Sequence, residues 1–503
     1  MMTVEMFSKY TDPKTFEKIT DYSCITEMWQ DSVANYSNNV ALVDDGKEYT
    51  YGQLDAAVAS FRAILSQNGV KPGDVVGMYL PNCADFVKAY LALTTMGACA
   101  VLLPPHLDNM TVFGCSMMFG MKALVYSNAL AEKLDVVKAK NPTLPLVEGG
   151  STCDESVAAI PCPPESTCTV LFTGGTTGKS KGARLSQQAV LEGVKNGCYG
   201  YQHVFEQRYF LVLPLTHVFG LIRNMLTSLR TGSSLFICRN NKDMFRDIAV
   251  FKPTIMILVP ALAEMALNLS KQFGRNMLGA DMKTIICGAA AVAPYLVTEY
   301  DKFGIKLLPG YGLTESANLV SGNPEALRKP DSVGYIYPGI DYKIVDGELW
   351  LKGKTMMDGY VGGAENETAY SPDGYFKTGD LVRIDEEGFL YITGRSKEII
   401  VLSTGENVSP AELESYFYAL DAVQDCLVYA DNSEGREVLA VEILPRAVTL
   451  KTLGITDVET YMKEKVAEIN KTLPAFQRVS KVVIRDCDFK RSPSMKIVRN
   501  QNG

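Results

Sequence analysis

Residues 49–105 read YTYGQLDAAVASFRAILSQNGVKPGDVVGMYLPNCADFVKAYLALTTMGACAVLLPP, and the hydrophobic period changes repeatedly along this stretch. Leu54, Val58, Phe61 and Leu65 recur at helical spacing, and Gly69 ends the helix they define. DVVGMYL is then a short buried strand. ADFVKAYLALTTMG is a second helix closed by Gly97, and ACAVLL a second strand. Helices alternating with fully apolar strands predict a largely parallel sheet covered on its faces. The pattern recurs in TIMILV, TIICG and IKLLPGYG.

After about Gly347 the character changes. ELWLKG, LVRI and FLYIT are short strands separated by turns, which predicts antiparallel structure. Beyond Arg395 the order is strand, helix, strand, strand, helix, strand, carried by EIIVL, PAELESYFYAL, DCLVYA, EVLAVEIL, TYMKEKVAEINKTL and KVVIRD. The expected fold is therefore α/β. A large N-terminal domain of parallel-sheet layers, residues 1–395, carries a small antiparallel subdomain, and a small α+β C-terminal domain, residues 396–503, follows.

Composition narrows the function. The chain has 503 residues, 47% hydrophobic and 21% charged, the balance of a globular protein of more than one domain. A net charge of −8 argues against a nucleic-acid partner. The twelve cysteines include no C-x-x-C pair, so they read as reduced thiols of a cytoplasmic protein rather than as disulfides or zinc ligands. The first residues lack the apolar core of a signal peptide, and no apolar run approaches the about 20 residues of a membrane span.

The chemistry centres on LFTGGTTGKSKG, residues 171–182. Gly178, Lys179 and Ser180 fit the end of a P-loop, but Thr173 stands where its first glycine belongs. KGARL then precedes the next helix, whose N-cap is read as Ser186, whereas a P-loop enters its helix directly. The remaining readings are a different phosphate loop, with converging N–H groups and threonine hydroxyls, and a mobile surface loop.

A second constellation follows from geometry. LVRI and FLYI alternate and are joined by DEEG, so they form a hairpin that brings Asp380 and Arg395 to one end. Such a pair is either a plain salt bridge or a carboxylate and guanidinium set to hold ribose hydroxyls and phosphate. Ser409-Pro410-Ala411-Glu412 reads as a capping box at a helix start.

FTGGTTGKSKGA resembles the phosphate-binding signature of the adenylate-forming superfamily, which contains acyl-CoA synthetases, adenylation domains and luciferases. Gly174 stands where the family has serine and Ser180 where it has proline. Further blocks resemble the family in order: LPLTHVFG at 213–220, CGAAAVAP at 287–294 with Ala291 for proline, PGYGLTES at 309–316 and GELWLKGKTMMDGY at 347–360. GYFKTGDLVRIDEEGFLYITGRSKEII at 374–400, GENVSPAELE at 405–414 and SPSMKIVR at 492–499, with Met495 for glycine, complete the set. The chain is most similar to the fatty acyl-CoA synthetases.

The resemblance implies a two-step reaction. A carboxylate attacks the α-phosphate of ATP to give an acyl adenylate and pyrophosphate, and a thiol then displaces AMP. It implies that Thr173, Gly174, Gly175, Thr176, Thr177, Gly178 and Lys181 hold the phosphates. Gly288, Ala289 and Ala290 line the adenine, with Gly310, Tyr311 and Gly312. Thr314 binds the α-phosphate, Glu315 holds Mg²⁺, and Asp380 and Arg395 hold the ribose. Lys496 bridges the acid and the α-phosphate, and Gly405 borders the thiol tunnel. Lys397 is the hinge about which the mobile small domain rotates. Taken alone, Glu315 is equally a surface carboxylate, Gly405 a turn glycine and Lys496 a solvated terminal lysine.

His217 joins the catalytic set and, with Val218, Phe219, Leu221 and Val259, the acyl pocket. THVFGLIRNMLTSL has no acidic residue to pair with an α-ammonium, which favours an acid without an amine. A medium- or long-chain fatty acid is the first choice and an aryl acid the second. Coenzyme A is the expected thiol, an acyl carrier protein's phosphopantetheine the alternative, and a non-catalytic nucleotide-binding relative the remote one. The sequence sets no oligomeric state; a homodimer is one option.

Overall fold

The computed structural model describes residues 4–173, 181–200, 203–363, 366–402, 406–431, 438–491 and 497–499. Helix Tyr51–Gln67 starts at a capping box between Thr50 and Gln53 and stops before Gly69, whose φ of +82° takes the chain out of helical space. Helix Ala84–Thr95 is buried from Phe86 through Thr95. A helix apolar on all sides belongs in an interior. It touches strands of two different sheets, Val75–Tyr79 and Cys99–Leu102 in one and Val40–Asp44 in the other.

Those two sheets are the layers of the large domain. One has six strands in the order Leu146–Glu148, Ala123–Tyr126, Val75–Tyr79, Cys99–Leu102, Thr167–Thr173, Lys181–Ser186. The other has nine, with Lys306–Tyr311, Thr284–Cys287, Ile255–Leu258, Arg208–Leu211 and Ser234–Ile237 running parallel through its middle. Antiparallel strands close one edge of the first sheet and both edges of the second. A single hydrophobic core joins both sheets.

The antiparallel subdomain is a four-stranded sheet ordered Ile340–Val345, Glu348–Gly353, Phe376–Ile384, Leu390–Arg395. The turn between its last two strands is built on Asp385. Its carboxylate accepts the N–H groups of Glu387 and Phe389, and Gly388 takes φ +87°.

Residues Val408 to Val479 pack around a core of their own. Strands Val423–Asp431 and Val438–Pro445 pair antiparallel, and Lys481–Ile484 runs parallel to the second. Helix Pro410–Tyr418 starts at Ser409, whose hydroxyl accepts the Glu412 N–H and donates to the Thr393 carbonyl. Helix Val458–Asn470 lies where the sequence predicts it. EIIVL is strand only at Ile400–Val401, paired with Asn407–Val408, and a short helix at Ala447–Thr452 has no counterpart in the sequence reading. AVTLKT is too short and too rich in β-branched residues for its period to stand out.

Candidate active site

The two ends of LFTGGTTGKSKG, residues 171–173 and 181–182, belong to paired strands. Thr167–Thr173 and Lys181–Ser186 pair antiparallel, with Thr173 opposite Lys181, and residues 174–180 between them lie outside the described residues. Helix Gln187–Asn196 begins only after the second strand, with Ser186 accepting the Ala189 N–H. KGARL therefore separates residues 174–180 from the helix, as the sequence implies and a P-loop does not allow, and it does so as strand.

A third segment flanks these strands. Arg184 N–H donates to the Gly359 carbonyl, Asp358 N–H to the Arg184 carbonyl and Val361 N–H to the Gly182 carbonyl. These bonds fix Tyr360, whose ring lies 5.0 Å from Lys181 Nζ and whose hydroxyl donates to Glu315 Oε1 at 2.7 Å. Sequence reading missed Tyr360, although it closes the GELWLKGKTMMDGY block.

Thr314 and Glu315 sit in a single 3-10 turn, Thr314–Ser316, at the end of strand Lys306–Tyr311. The turn doubles back tightly: a Cβ on Gly312 would stand 1.2 Å from the Asn318 carbonyl oxygen, so only glycine fits. Ala317 at φ +49° and Asn318 at φ +84° follow in left-handed conformation, and Ala289 beside Gly288 has φ +66°. These are three of the seven described non-glycine residues with positive φ, so backbone strain concentrates here. Gly288 is buried, and a Cβ on it would lie 2.8 Å from the Gly310 carbonyl oxygen and 3.6 Å from the Phe219 ring. The backbones at Gly288 and Gly310 thus meet with no room for side chains between them, and Ala290 beyond is exposed.

Asp380 and Arg395 face one another in register, as the hairpin predicts. Arg395 Nε donates to Asp380 Oδ1 at 2.7 Å, and the Tyr311 hydroxyl to Oδ2 at 2.5 Å. The Asp380 side chain is 3% exposed and that of Arg395 37%. Burial, with the Asp380 charge second, raises the Tyr311 hydroxyl well above its usual pKa. Burial disfavours the Arg395 cation, but the neighbouring carboxylates, Asp380 first and then Glu398 and Glu315, outweigh it and raise its pKa. Tyr311 is therefore tied through its hydroxyl to Asp380.

His217 Nδ1 accepts the Phe219 N–H at 3.3 Å, so a neutral ring carries its proton on Nε2. Phe219–Leu226 forms a π-helix, which the apolar run did not disclose. Val218, Phe219, Leu221 and Val259 are all buried, at 3%, 5%, 0% and 5% exposure. Lys397 is exposed on a 3-10 turn, Ser396–Glu398. Gly405 and Lys496 lie outside the described residues. Three residues further along the chain the structure describes Arg499. Arg499 donates to Glu414 Oε1 and Oε2 at 2.8 and 2.7 Å and to Glu398 Oε2 at 3.0 Å. Between the two cores, Arg446 Nη2 donates to Glu264 Oε1 at 2.7 Å and to the Tyr295 hydroxyl at 2.8 Å.

All twelve cysteines are free thiols, ten of them buried. Among the described residues no helix is long and apolar enough to cross a membrane, and no three His, Cys, Asp or Glu side chains cluster as a metal site.

A buried carboxylate tied to a tyrosine and an arginine thus stands beside a strained turn carrying Thr314 and Glu315, in an α/β fold. The model of the AMP-binding enzyme family matches residues 29–361, and that of the AMP-binding enzyme C-terminal domain matches residues 397–502. The chain therefore belongs to the AMP-binding enzyme family, and it is an AMP-forming acid–thiol ligase. It is 27% identical over 513 residues to 4-coumarate–CoA ligase-like 6 of Arabidopsis thaliana, covering 93% of this chain and 88% of that one. It is 26% identical over 513 residues to a long-chain-fatty-acid–CoA ligase of Bacillus subtilis, covering 88% and 90%. The crystal structure of the anthranilate CoA ligase AuaEII with anthranoyl-AMP shares the fold, with TM-score 0.85 at 20% identity over 95% of this chain and 96% of that one.

Proposed function

We propose that the protein activates a carboxylic acid with ATP, releasing pyrophosphate, and passes the acyl group to the thiol of coenzyme A. The observation that carries this reading is the Tyr311–Asp380–Arg395 network. Asp380 Oδ1 accepts from Arg395 and Oδ2 from Tyr311, which fixes a carboxylate of the kind that accepts ribose hydroxyls. Gly288, Ala289, Ala290, Gly310 and Gly312 bring bare backbone to the adenine. Thr173, Lys181 and the loop between them take the phosphates.

Glu315 fits a magnesium ion. Oε1 accepts from Tyr360, and one carboxylate beside phosphate and water oxygens suits that ion. Bound magnesium would neutralise phosphate charge. Thr314 would donate to the α-phosphate, and Lys496 would offset repulsion between it and the incoming carboxylate. His217 would orient the acid. The small domain, residues 396–503, has its own core and meets the large domain through polar contacts such as Arg446–Glu264, so it is built to move. Rotation about Lys397 would exchange Lys496 for the face near Gly405, where the thiol enters.

For the acid, the reading is a medium- or long-chain fatty acid, with an aryl acid second. Its support is the apolar burial of Val218, Phe219, Leu221 and Val259, and a Thr216–Leu229 segment whose charged group, Arg223, is a fully buried cation. An α-ammonium has no carboxylate to meet there. The test is ATP–pyrophosphate exchange over a panel of carboxylic acids, with hits repeated on coenzyme A and on acyl carrier protein. Exchange confined to amino acids would refute the acid assignment, and transfer to carrier protein alone would refute the acceptor.

A further inference from the structure

We infer that Arg499 is a positioning residue for the domain rotation: by holding Glu398 to the small domain it confines the pivot to the backbone of Lys397. The inference rests on the reading that the small domain turns about that residue.

The chain crosses between the domains within a few residues. On the large-domain side, Arg395 Nε donates to Asp380 Oδ1 at 2.7 Å, and the Ser396 hydroxyl donates to the Gly379 carbonyl at 3.2 Å. Gly379 and Asp380 both belong to strand Phe376–Ile384 of the antiparallel subdomain. On the small-domain side, Glu398 Oε2 accepts from Arg499 Nε at 3.0 Å, and Ile400 pairs with Val408. Lys397 stands between the last of the first ties and the first of the second. The bond from the Ser409 hydroxyl to the Thr393 carbonyl crosses the joint and must break as the domain turns. The Glu398–Arg499 bond lies wholly on the small-domain side and can persist.

The guanidinium that makes this tie is seated deep. Arg499 Nη1 and Nη2 donate to Glu414 Oε1 and Oε2 at 2.8 and 2.7 Å. That two-pronged pairing fixes the plane of the group and leaves its third edge, Nε, for Glu398. Glu414 is 7% exposed, lies on helix Pro410–Tyr418 and accepts the Val428 N–H at 2.8 Å. Leu413 and Phe417 of that helix and Val428 of the next strand belong to the small-domain core. Glu398 is therefore fastened to that core through one planar group. A joint confined to Lys397 has only that residue's φ and ψ to turn, so the domain swings on a defined path. With Glu398 released, rotation would spread into Glu398 and Ile399, and the end conformations would lose definition.

The experiment asks whether releasing Glu398 opens a second route for rotation. Transfer to coenzyme A is measured in a single turnover from supplied acyl adenylate, made with the acid that exchanges pyrophosphate fastest. The enzymes are wild type, Lys397→Pro, Glu398→Ala and the double variant. Glu398→Ala should leave the wild type no faster, yet should speed transfer by the proline variant about tenfold, the order that one charged hydrogen bond controls. A residue that only supports the fold would slow both backgrounds. Arg499→Ala should reproduce the relief, and Arg499→Lys, which cannot hold both carboxylates in one plane, should give part of it. Should Arg499→Ala fail to fold because it strands Glu414, the Glu398→Ala arm decides. Glu442→Ala, which breaks an ion pair with Arg485 elsewhere in the same domain, should give no relief. Proline-blocked transfer that Glu398→Ala leaves blocked overturns the inference and leaves the hinge standing, as does equal relief by Glu442→Ala. A Lys397→Pro enzyme that transfers as fast as wild type removes the hinge from Lys397 and the inference with it.

Discussion

Tyr360→Phe removes a hydroxyl at the centre of the proposed site. The change removes the hydroxyl that donates to Glu315 Oε1 at 2.7 Å and leaves a ring of nearly the same volume at a position 8% exposed. Packing and the ring's approach to Lys181 are retained. A hydrogen bond to a carboxylate is worth about 1.5–3 kcal/mol. Glu315 is half-buried, so water replaces part of it, and the lower end of that range, about tenfold in rate, is the expected loss. The loss should be conditional. If Glu315 holds magnesium, the hydroxyl orients the ion's ligand, and its removal should raise the magnesium requirement about 10–100-fold. The assay is acid-dependent pyrophosphate release at saturating ATP, titrated with magnesium. Tyr370→Phe is the control, because its hydroxyl donates to the Met357 carbonyl at 2.8 Å and not to Glu315. A Tyr360→Phe enzyme with an unchanged magnesium midpoint would refute the assignment of Glu315. So would an equal shift in Tyr370→Phe.

Three further outcomes follow from the geometry. Although burial opposes it, the Phe389 N–H, Lys329 and Tyr391 hold Asp385 down to about 2 from 3.8. A depressed carboxylate stabilises the fold above its unfolded pKa and loses that contribution as pH falls through the folded value. Wild-type Tm should therefore fall between about pH 4 and pH 2 more steeply than that of Asp385→Asn; parallel curves would count against the turn's role. Exposed Cys487 should react first with a thiol reagent and half-buried Cys153 second, while Cys83 and Cys99, pushed up by burial to about 11 and about 12, stay silent until unfolding; early labelling of either would contradict their burial. Lys397→Pro fixes φ and removes a backbone donor. It should spare adenylation within about tenfold and cut thioester formation far more, with Lys397→Ala sparing both; equal loss of both steps in single-turnover assays would place the hinge elsewhere.

Much of the fold was legible because its signals are local. Helix Tyr51–Gln67 carries its own cap and stop, and the DEEG turn carries the Asp385 and Gly388 that build it, so the Asp380–Arg395 register followed from alternation alone. Contacts between distant segments left no such mark. Nothing in the spacing of GELWLKGKTMMDGY announces that Tyr360 reaches Glu315, or that Arg446 meets Glu264. The π-helix at Phe219–Leu226 looked like any apolar helical run, because one wider turn changes the period too little over eight residues to be read. Phe7 stayed hidden in a charged N-terminal stretch, because its packing on Tyr199 and Tyr337 joins segments far apart in sequence.

The central claim is that activation precedes transfer and leaves an adenylate on the enzyme. It is tested most directly by mixing enzyme, an active acid and ATP labelled at the α-phosphate, first without any thiol. The account predicts one equivalent of pyrophosphate per site, with the label retained on the protein as acyl adenylate. Coenzyme A added afterwards should release labelled AMP and acyl-CoA together. Release of ADP and phosphate, or no pyrophosphate until coenzyme A is present, would contradict it.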